Sequence, residues 1–431
     1  MGNNKLLKTK AFYFITFLLV LFILYPLNLF GQVETPGTTF KVEVTDNLAT
    51  VNVQDADLSE VLKEIEKATG VKITIGKELI GKKITAQFED LDIESALKEI
   101  LNRSDSYYVL NFLQDPVNKE KYVLKDVKAE GDIIGSKPLK VKMVTVDIPY
   151  GSGKGEVGAV DAGEGAIIGP KSFTVDDKGN IYICDTVNER IQVFSSNGKY
   201  LSTISFKKGT FAEDIDIDKQ GFVYVYNRVK LYQYDKKGNI VTSIDVDESR
   251  WGGGGTMHVI NNEIYIYACD YDTCGDFLIG RTLFNNMLVG PSVEEPKRFN
   301  EKGKQGLSQK KYMTGLKRFE RGETEIKDRD GATFKIMSFP LKEILSIKFL
   351  GEDKRENLYI KTERDNETHE LVVEVHKFNA DGDYLNTIQM SPSNIHFWSV
   401  KNCEVSKDGT IYQFLPEKDR LRLNIFPYES N

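Results

Sequence analysis

The chain has 431 residues, of which 40% are hydrophobic and 28% are charged. This composition excludes an intrinsically disordered chain, and the length predicts two domains unless repeats extend a single core. The formal net charge of −7 argues against nucleic acid as the main partner, because binding phosphates requires a basic face.

Residues 1–31 have the order of a secretory signal. Three lysines precede an apolar run over residues 11–24, and Gly31 follows as a small residue at which cleavage can occur. We expect a cleaved signal peptide; the alternative is an uncleaved membrane anchor over residues 11–30, which are numerous enough to span a bilayer. Both alternatives predict export of the remaining chain, to the periplasm or beyond, with inner-membrane anchoring in the second.

Residues 36–128 alternate short strands with two helices. Each helix has an apolar stripe with helical spacing, first Leu58, Val61, Leu62 and Ile65, then Ile93, Ala96, Leu97, Ile100 and Leu101. Asp57 and Asp92 are placed to cap the two helix starts, and Gly70 to end the first helix. The pattern predicts a small α/β domain with both helices on one sheet.

The run VNVQDADLSEVLKEIEKATGVKITI (51–75), followed by GKKITAQFEDLDIESALKEIL (81–101), resembles the secretin and TonB short N-terminal domain, a βαββαβ unit. The resemblance implies protein–protein contacts at the periplasmic side of the outer membrane, and it implies no catalytic residue. A domain that serves only as a spacer is the alternative.

After a linker over residues 129–140, residues 141–431 contain repeats. Five segments share a turn followed by an alternating strand with tyrosine at one place, at Tyr182, Tyr224, Tyr265, Tyr359 and Tyr412. The interval from Tyr265 to Tyr359 is about two periods, so one repeat has lost this signature and the total is six. Repeats of four short strands in about forty residues predict propeller blades.

The segment GPKSFTVDDKGNIYICDTVNERIQVFSSNGKYLSTI (169–204) resembles an NHL repeat. The resemblance implies a mainly β fold, a six-bladed NHL-type β-propeller behind the α/β domain, in which Asp185, Asn188 and Arg190 tie blades together. Such propellers bind proteins, peptides, RNA or sugars, and some relatives are lyases or lactonases, so the fold does not decide the function.

Alignment of the turns places polar side chains at one equivalent position of four first strands: Thr174, Asp216, His258 and Glu404. Asp214 and Asn402 come two residues earlier in their strands. Because first strands line the central channel of a propeller, we take Asp214, Asp216, His258 and Glu404 as candidate ligand-binding residues. The alternative is that they only bind channel waters.

Other motifs carry weaker signals. GSGKGE (151–156) lacks the spacing of a phosphate loop and is expected to be an inter-blade connection. DYDTCGD (270–276) resembles the start of a calcium loop but has Arg281 where the final glutamate belongs. We therefore expect no cofactor, with calcium or zinc as the alternatives, and the four histidines are few for a zinc lyase. The basic stretch 297–321 is either a solvated insert or a polyanion-binding surface.

The four cysteines fit an exported protein. Cys269 and Cys274 are close enough in sequence to form a disulfide or to remain free thiols. Cys184 and Cys403 lie in apolar strand patterns and are expected to be small core residues.

The ends of the repeat region predict how the ring closes. The last repeat has three strands, and the strand-like segment 141–148 belongs to no blade, so we expect it to pair antiparallel with residues 421–426. We also expect that deleting residues 141–148 lowers the melting temperature of the ring sharply, whereas removing the domain before Lys128 does not.

The sequence as a whole favours a non-catalytic, exported recognition or scaffolding protein of the cell envelope that binds protein or glycan partners. The first alternative is a propeller enzyme of the lyase or lactonase type with a metal or ligand site in the channel. The second is binding of polysaccharides or lipid headgroups through the basic stretch.

Overall fold

The computed structural model describes residues 39–115, 118, 122–131, 139, 141–163, 167–247, 255–270, 273–283, 288–290, 304–305, 311–317, 321–327, 332–340, 344–365, 370–392 and 397–428. The predicted signal or anchor (1–31), most of the basic stretch 297–321 and the side chains of the calcium-like loop 270–276 lie outside this description. In the stretches described, no helix is long and apolar enough to cross a membrane.

The N-terminal unit contains both predicted helices and six strands. They are, in chain order, β1 (Phe40–Thr45), β2 (Leu48–Asp57), α1 (Leu58–Thr69), β3 (Lys72–Ile75), β4 (Lys83–Asp92), α2 (Ile93–Asn102), β5 (Tyr107–Gln114) and β6 (Tyr122–Glu130). The predicted caps are confirmed: Asp57 accepts from the backbone N–H of Ser59 at 2.9 Å, and Asp92 from that of Ser95 at 2.9 Å. Gly70 ends α1 with φ +75°, in the left-handed region that favours glycine.

Two sheets enclose the helices of this unit, whereas the sequence predicted one. Strands β1, β2 and β4 form an antiparallel sheet, and β3 pairs parallel with β6, which pairs antiparallel with β5. The buried stripe residues of α1 and α2 pack into one core with side chains from both sheets. The helices therefore bury their apolar stripes between two layers of strands.

The repeat region begins with β7 (Val144–Pro149) and a small hairpin of β8 (Val160–Asp161) and β9 (Ile167–Ile168). Three four-stranded antiparallel sheets follow. Sheet one is β10 (Ser172–Val175), β11 (Ile181–Asp185), β12 (Arg190–Phe194) and β13 (Tyr200–Ser205); sheet two is β14 (Asp214–Ile217), β15 (Val223–Tyr226), β16 (Lys230–Tyr234) and β17 (Ile240–Asp245); sheet three is β18 (Thr256–Ile260), β19 (Glu263–Asp270), β20 (Thr273–Thr282) and β21 (Leu288–Val289).

Three more sheets complete the series. Sheet four contains β22 (Lys304–Gln305), β23 (Lys311–Lys317), β24 (Arg321–Lys327) and β25 (Thr333–Pro340); sheet five is β26 (Ile344–Glu352), β27 (Leu358–Asp365), β28 (Leu371–Phe378) and β29 (Tyr384–Met390); sheet six is β30 (Cys403–Val405), β31 (Ile411–Pro416), β32 (Arg420–Phe426) and β7. The signature tyrosines lie on the second strands of all sheets but the fourth. Tyr224 and Tyr359 donate from their hydroxyls to the turn carboxylates of Asp218 (2.9 Å) and Asp353 (3.0 Å), which explains the recurring residue.

The sheets follow one another around a ring. First strands of neighbouring sheets pack together, as β10 does with β14, β14 with β18, and β26 with β30. Sheets six and one share a core in which the rings of Phe173 and Phe414 stack 5.2 Å apart. The predicted closure is confirmed: β7 pairs antiparallel with β32, with Ile148 opposite Leu421 and Val144 opposite Ile425. The strand begins at Val144, three residues later than predicted.

The fourth sheet extends into the N-terminal unit. Strand β25 pairs antiparallel with β5, so that β22 to β25, β5, β6 and β3 form one seven-stranded sheet. Tyr107 and Val109 of β5 pack in the core between sheets four and five. Strand β23 packs on β26, the first strand of sheet five, so β23, β24, β25 and β5 form the four strands of the fourth blade, with the two-residue strand β22 beside β23. The N-terminal unit is thus joined to the ring through backbone hydrogen bonds between β25 and β5.

The NHL-like loop ties the incoming chain to sheet one, as expected. Asp185 accepts from the backbone N–H of Gly158 (2.8 Å) and from the side chains of Asn188 (2.8 Å) and Arg190 (2.8 Å). The Arg190 guanidinium in turn donates to three backbone carbonyls of the segment 151–156. A phosphate loop presents backbone N–H groups to its ligand, whereas this segment presents carbonyls to arginine, so the inter-blade connection is confirmed.

Candidate functional site

A cavity of about 140 Å³ lies where the first strands of five sheets end near the ring axis. Its lining comes from β10, β14, β18, β26 and β30, from the turns that follow them and from Lys401 before β30. In each of these five sheets the first strand reaches the cavity, so one position per repeat converges on the same space. The charged and polar lining residues include Thr174, Asp216, His258, Lys348, Glu352, Lys401 and Glu404.

The structure brings together three of the four candidate residues. Asp216, His258 and Glu404 all line the cavity, and Thr174 lies between Asp216 and Glu404. The Thr174 hydroxyl donates to Asp216 Oδ1 at 2.7 Å, and its oxygen lies 3.5 Å from Glu404 Oε1. The alignment of turns therefore identified a real convergence of side chains from sheets one, two, three and six.

The Asp216 carboxylate is bonded on both oxygens. Oδ2 accepts from the backbone N–H of Val259 at 2.6 Å, and Oδ1 accepts from that of Ile217 at 2.8 Å as well as from Thr174. These bonds join sheets one, two and three near the axis. The imidazole of His258 stacks on the ring of Tyr265, 5.5 Å away and at an interplanar angle of 18°. Both side chains are thus held in fixed positions by their neighbours.

The fourth candidate, Asp214, does not lie among the cavity residues. It is fully buried below them, where it accepts from the hydroxyl of Ser172 and from the backbone N–H of Met257 at 2.5 Å. Asn402, two residues before Glu404, lines a separate small cavity with Lys361 and Glu363. Residues two apart lie on the same face of a strand, so Asp214 shares the face of Asp216 but lies further from the strand end that opens on the cavity.

Lys401 is the principal residue that sequence reasoning missed. Its ammonium lies 3.2 Å from Asp214 Oδ1 and donates to the carbonyl of Ile215 at 2.8 Å. Burial alone would lower the pKa of Lys401, but the carboxylates of Asp214, Asp216 and Glu404 outweigh it and raise the pKa. The lysine therefore stays protonated and balances a buried acidic cluster. One signal was available, since Lys401 stands three residues before Glu404 as Lys171 stands before Thr174.

Lys348 and Glu352 of β26 were missed for a different reason. Gly351 lies opposite the signature tyrosine Tyr359, as Thr174, Asp216 and Glu404 lie opposite theirs. The equivalent position of this repeat is therefore a glycine, which has no side chain to bring to the cavity. Lys348 and Glu352 line the cavity from other positions of the same strand.

The sequence left open a calcium or zinc site and a disulfide between two of the four cysteines. Within the described part of the chain, no three His, Cys, Asp or Glu side chains are arranged to hold one metal ion. Cys184 is buried and free, Cys403 is free and partly buried beside the cavity, and Cys269 and Cys274 are register partners of β19 and β20. The disulfide proposed for the latter pair lies outside the described side chains.

Comparison with known proteins gives one family match. The model for the NHL repeat matches residues 168–194, which span β10, β11 and β12 of sheet one. With six sheets around a common axis, this match decides the class of architecture. The fold is of the propeller type. No curated protein matches the chain.

Similar solved structures include three propeller-type proteins. A streptogramin B lyase has 11% identity and a TM-score of 0.36, covering 65% of this chain and 97% of that chain. A member of the DUF4221 family from Bacteroides vulgatus has 11% identity and a TM-score of 0.38, covering 68% and 99%. A gluconolactonase from Xanthomonas campestris has 12% identity and a TM-score of 0.33, covering 65% and 97%. At these identities no activity is carried over to this chain.

Proposed function

We propose that this chain is a non-catalytic, exported recognition protein of the cell envelope, built from a six-bladed NHL-type propeller and a unit similar to the secretin and TonB short N-terminal domain. The observation that carries the proposal is the pairing of β5 with β25, which joins the two parts in one sheet. A joined pair of modules presents one surface of fixed shape, as a scaffold for protein or glycan partners requires.

Side-chain contacts support a rigid joint. The hydroxyl of Tyr107 in β5 donates to the carbonyl of Gly382 in sheet five at 2.5 Å, and its ring lies 5.3 Å from Phe339 and 5.4 Å from Phe378. Lys128 of β6 pairs with Asp383 at 2.8 Å. Buried aromatic groups with a satisfied hydroxyl stabilise such contacts well. The N-terminal unit is therefore held against two blades, unlike a domain on a linker.

The axial cavity supports binding rather than catalysis. A catalytic base or nucleophile must be in its reactive protonation state at neutral pH and must be able to contact the substrate. The Asp216 carboxylate already accepts three hydrogen bonds, and Lys401 is held protonated by buried carboxylates. Burial raises the pKa of Cys403 to about 11, which keeps the thiol protonated and unreactive.

The alternative function is a lyase or lactonase type of enzyme, and one observation favours it. Asp216, His258 and Glu404 meet in a cavity on the axis, and convergent polar groups in a cavity are the usual form of an active site. Purified protein with stoichiometric zinc or calcium, and with ester or lactone turnover that Asp216→Asn abolishes, would establish this alternative.

The test of the recognition function combines location and partner capture. The full chain, carrying a C-terminal tag, is cross-linked in its native host and recovered from envelope and cytoplasmic fractions. We expect recovery from the envelope with a cross-linked partner, and no ester or lactone turnover by the purified protein. Recovery of the full-length chain from the soluble cytoplasm without a partner would contradict the proposal.

A further inference from the structure

A second surface lies on the face of the ring opposite the axial cavity. The cavity is at the ends of the first strands, whereas this surface is formed where those strands begin and where second and third strands turn. Its residues come from sheets one, two and six. We call it the aromatic face and define it by Lys171, Phe211, Glu213, Arg228, Val229 and Trp398.

The aromatic face exposes large apolar side chains. Phe211 is 69% exposed, Trp398 60% and Val229 58%. Single exposed apolar residues are common, but several on one face with polar residues between them mark interaction sites. In this face the three are held on adjoining loops of neighbouring sheets, so a single partner can contact all of them.

A chain of charged contacts connects these apolar groups. The Lys171 ammonium lies 5.2 Å from the centre of the Trp398 ring and 3.7 Å from Glu213 Oε2. The other oxygen of Glu213 lies 3.7 Å from Arg228 Nε. The backbone fixes the members of this chain: Val400 N–H donates to Lys171 O at 2.7 Å, and Glu213 N–H donates to Tyr226 O at 2.8 Å.

Two members of the face have a strained backbone. Phe211 has φ +45° and Arg228 has φ +75°, in the left-handed region that bulky residues rarely adopt. Hydrogen bonds on either side hold the loop before β14 in place, from Asn227 to the Thr210 carbonyl (2.8 Å) and from Thr186 to that of Ala212 (2.9 Å). Strain that the surrounding structure maintains is concentrated at ligand clamps.

Charge and geometry point to one kind of partner. Lys171 and Arg228 share the single carboxylate of Glu213, so the face has one positive charge in excess. Tryptophan, phenylalanine and arginine are the residues enriched at the centres of protein interfaces. The Lys171 ammonium covers one side of the Trp398 ring, which leaves a poor flat platform for a sugar. We propose that the aromatic face binds a peptide segment of a partner protein in which a carboxylate stands beside apolar side chains.

This inference rests on the proposed recognition function, and its test uses a defined probe. A phage-displayed library of random 12-residue peptides is selected on the full chain and counter-selected on the double variant Trp398→Ala/Phe211→Ala. We expect enriched peptides with Asp or Glu next to apolar residues. A synthetic peptide from this set should bind Trp398→Ala at least about tenfold more weakly than the unmodified chain.

Two further variants separate charge from folding. Arg228→Glu reverses an exposed charge, so it should weaken binding of the acidic peptide several-fold, with a larger effect at low salt. Leu385→Ala, on the outer strand β29 and 42% exposed, is the matched control and should bind normally. Melting temperatures within a few degrees of the unmodified chain confirm that each exposed substitution leaves the fold intact.

Enrichment of neutral or basic peptides, or equal binding of the peptide by the double variant, would overturn the inference. A selection that enriches no peptide would overturn it as well, and so would such a failure in a chain that binds glycans in an array. The proposed function fails separately. If the chain captures an envelope partner in its host and Arg228→Glu captures it equally well, the recognition function stands and the aromatic face is not its site.

Discussion

His376 shows how a histidine is used in this fold. It is fully buried in β28, with Nδ1 2.7 Å from the Thr387 hydroxyl and Nε2 2.9 Å from the Thr362 hydroxyl. Burial, together with the positive charge of Arg364, lowers its pKa to about 3. Both ring nitrogens have partners within the blade, so this histidine is a structural residue that is neutral at physiological pH.

The free energy of unfolding should therefore depend on the protonation of His376. The unfolded state binds the proton near pH 6.5 and the folded state near pH 3, so the stabilisation is complete above pH 6.5 and is lost as the pH falls toward 3. Lowering the pH from 7 to 5 should therefore reduce the free energy of unfolding by about 2 kcal/mol through this group. Urea unfolding at both pH values should show the difference between the unmodified chain and His376→Gln shrinking by that amount. A difference that is constant with pH would show that the histidine is not desolvated.

The buried pair of Lys401 and Asp214 gives a second prediction. Lys401→Met leaves Asp214 buried without its cation, which should cost about 3–5 kcal/mol, and Asp214→Asn/Lys401→Met should recover part of this loss. The matched control is Lys407→Met. Lys407 pairs at 2.8 Å with the exposed carboxylate of Asp177, so this substitution should lower the free energy of unfolding by less than about 1 kcal/mol. A double-mutant cycle from urea unfolding measures the coupling. Strictly additive effects would mean that the pair is not coupled.

At the scale of elements, the sequence predicted the features that depend on residues close together in the chain. The capping aspartates, the apolar stripes of α1 and α2 and the tyrosine strands all follow from spacing within one segment, and the structure confirms them. The convergence of Asp216, His258 and Glu404 at the cavity was predicted in the same way, because repeats place equivalent residues at one axis. Lys348 and Glu352 were not predicted, because the equivalent position of the fifth repeat, opposite Tyr359, is Gly351 and has no side chain.

The pairing of β5 with β25 is the feature that spacing could not predict. The strand beyond β25 in this sheet is β5, which comes from the N-terminal unit more than two hundred residues earlier in the chain. Spacing within a repeat carries no information about a partner strand so distant in sequence. The pairing also argues against our expectation that removing the unit does not sharply lower the melting temperature of the ring, because its removal would expose the edge of β25.

The joint can be tested within a single strand. Tyr107→Ala removes a fully buried ring from the core between sheets four and five and should cost about 3–5 kcal/mol. Leu113→Ala, in the same strand but 52% exposed, should change the stability by no more than about 0.5 kcal/mol. Hydrogen exchange should show faster exchange of the β25 amides at residues 335–338 in the first variant alone. Unchanged protection there would mean that β5 does not support the ring.

At the scale of the whole molecule, the ring depends on its seam. Strand β7 pairs with β32 and completes sheet six, with one face buried and the other exposed. Val146 and Ile148 are buried in the core shared with sheet one, whereas Asp147 points outward and pairs with Arg422 at 2.7 Å and Arg420 at 3.2 Å. A ring of stacked sheets opens most easily where its ends meet, so the inner face of this strand carries the closure.

Two adjacent substitutions measure that closure. Ile148→Ala removes buried methyl groups and should cost about 2–5 kcal/mol, whereas Asp147→Ala breaks exposed ion pairs and should cost below about 1 kcal/mol. Deletion of residues 141–148 should lower the melting temperature more than either, because it bares the edge of β32 and uncovers Leu421 and Leu423. Calorimetry of the three variants orders these effects. If the deletion melts at the temperature of the unmodified chain, the ring is held together by the stacking of its blades and the seam strand contributes nothing to its stability.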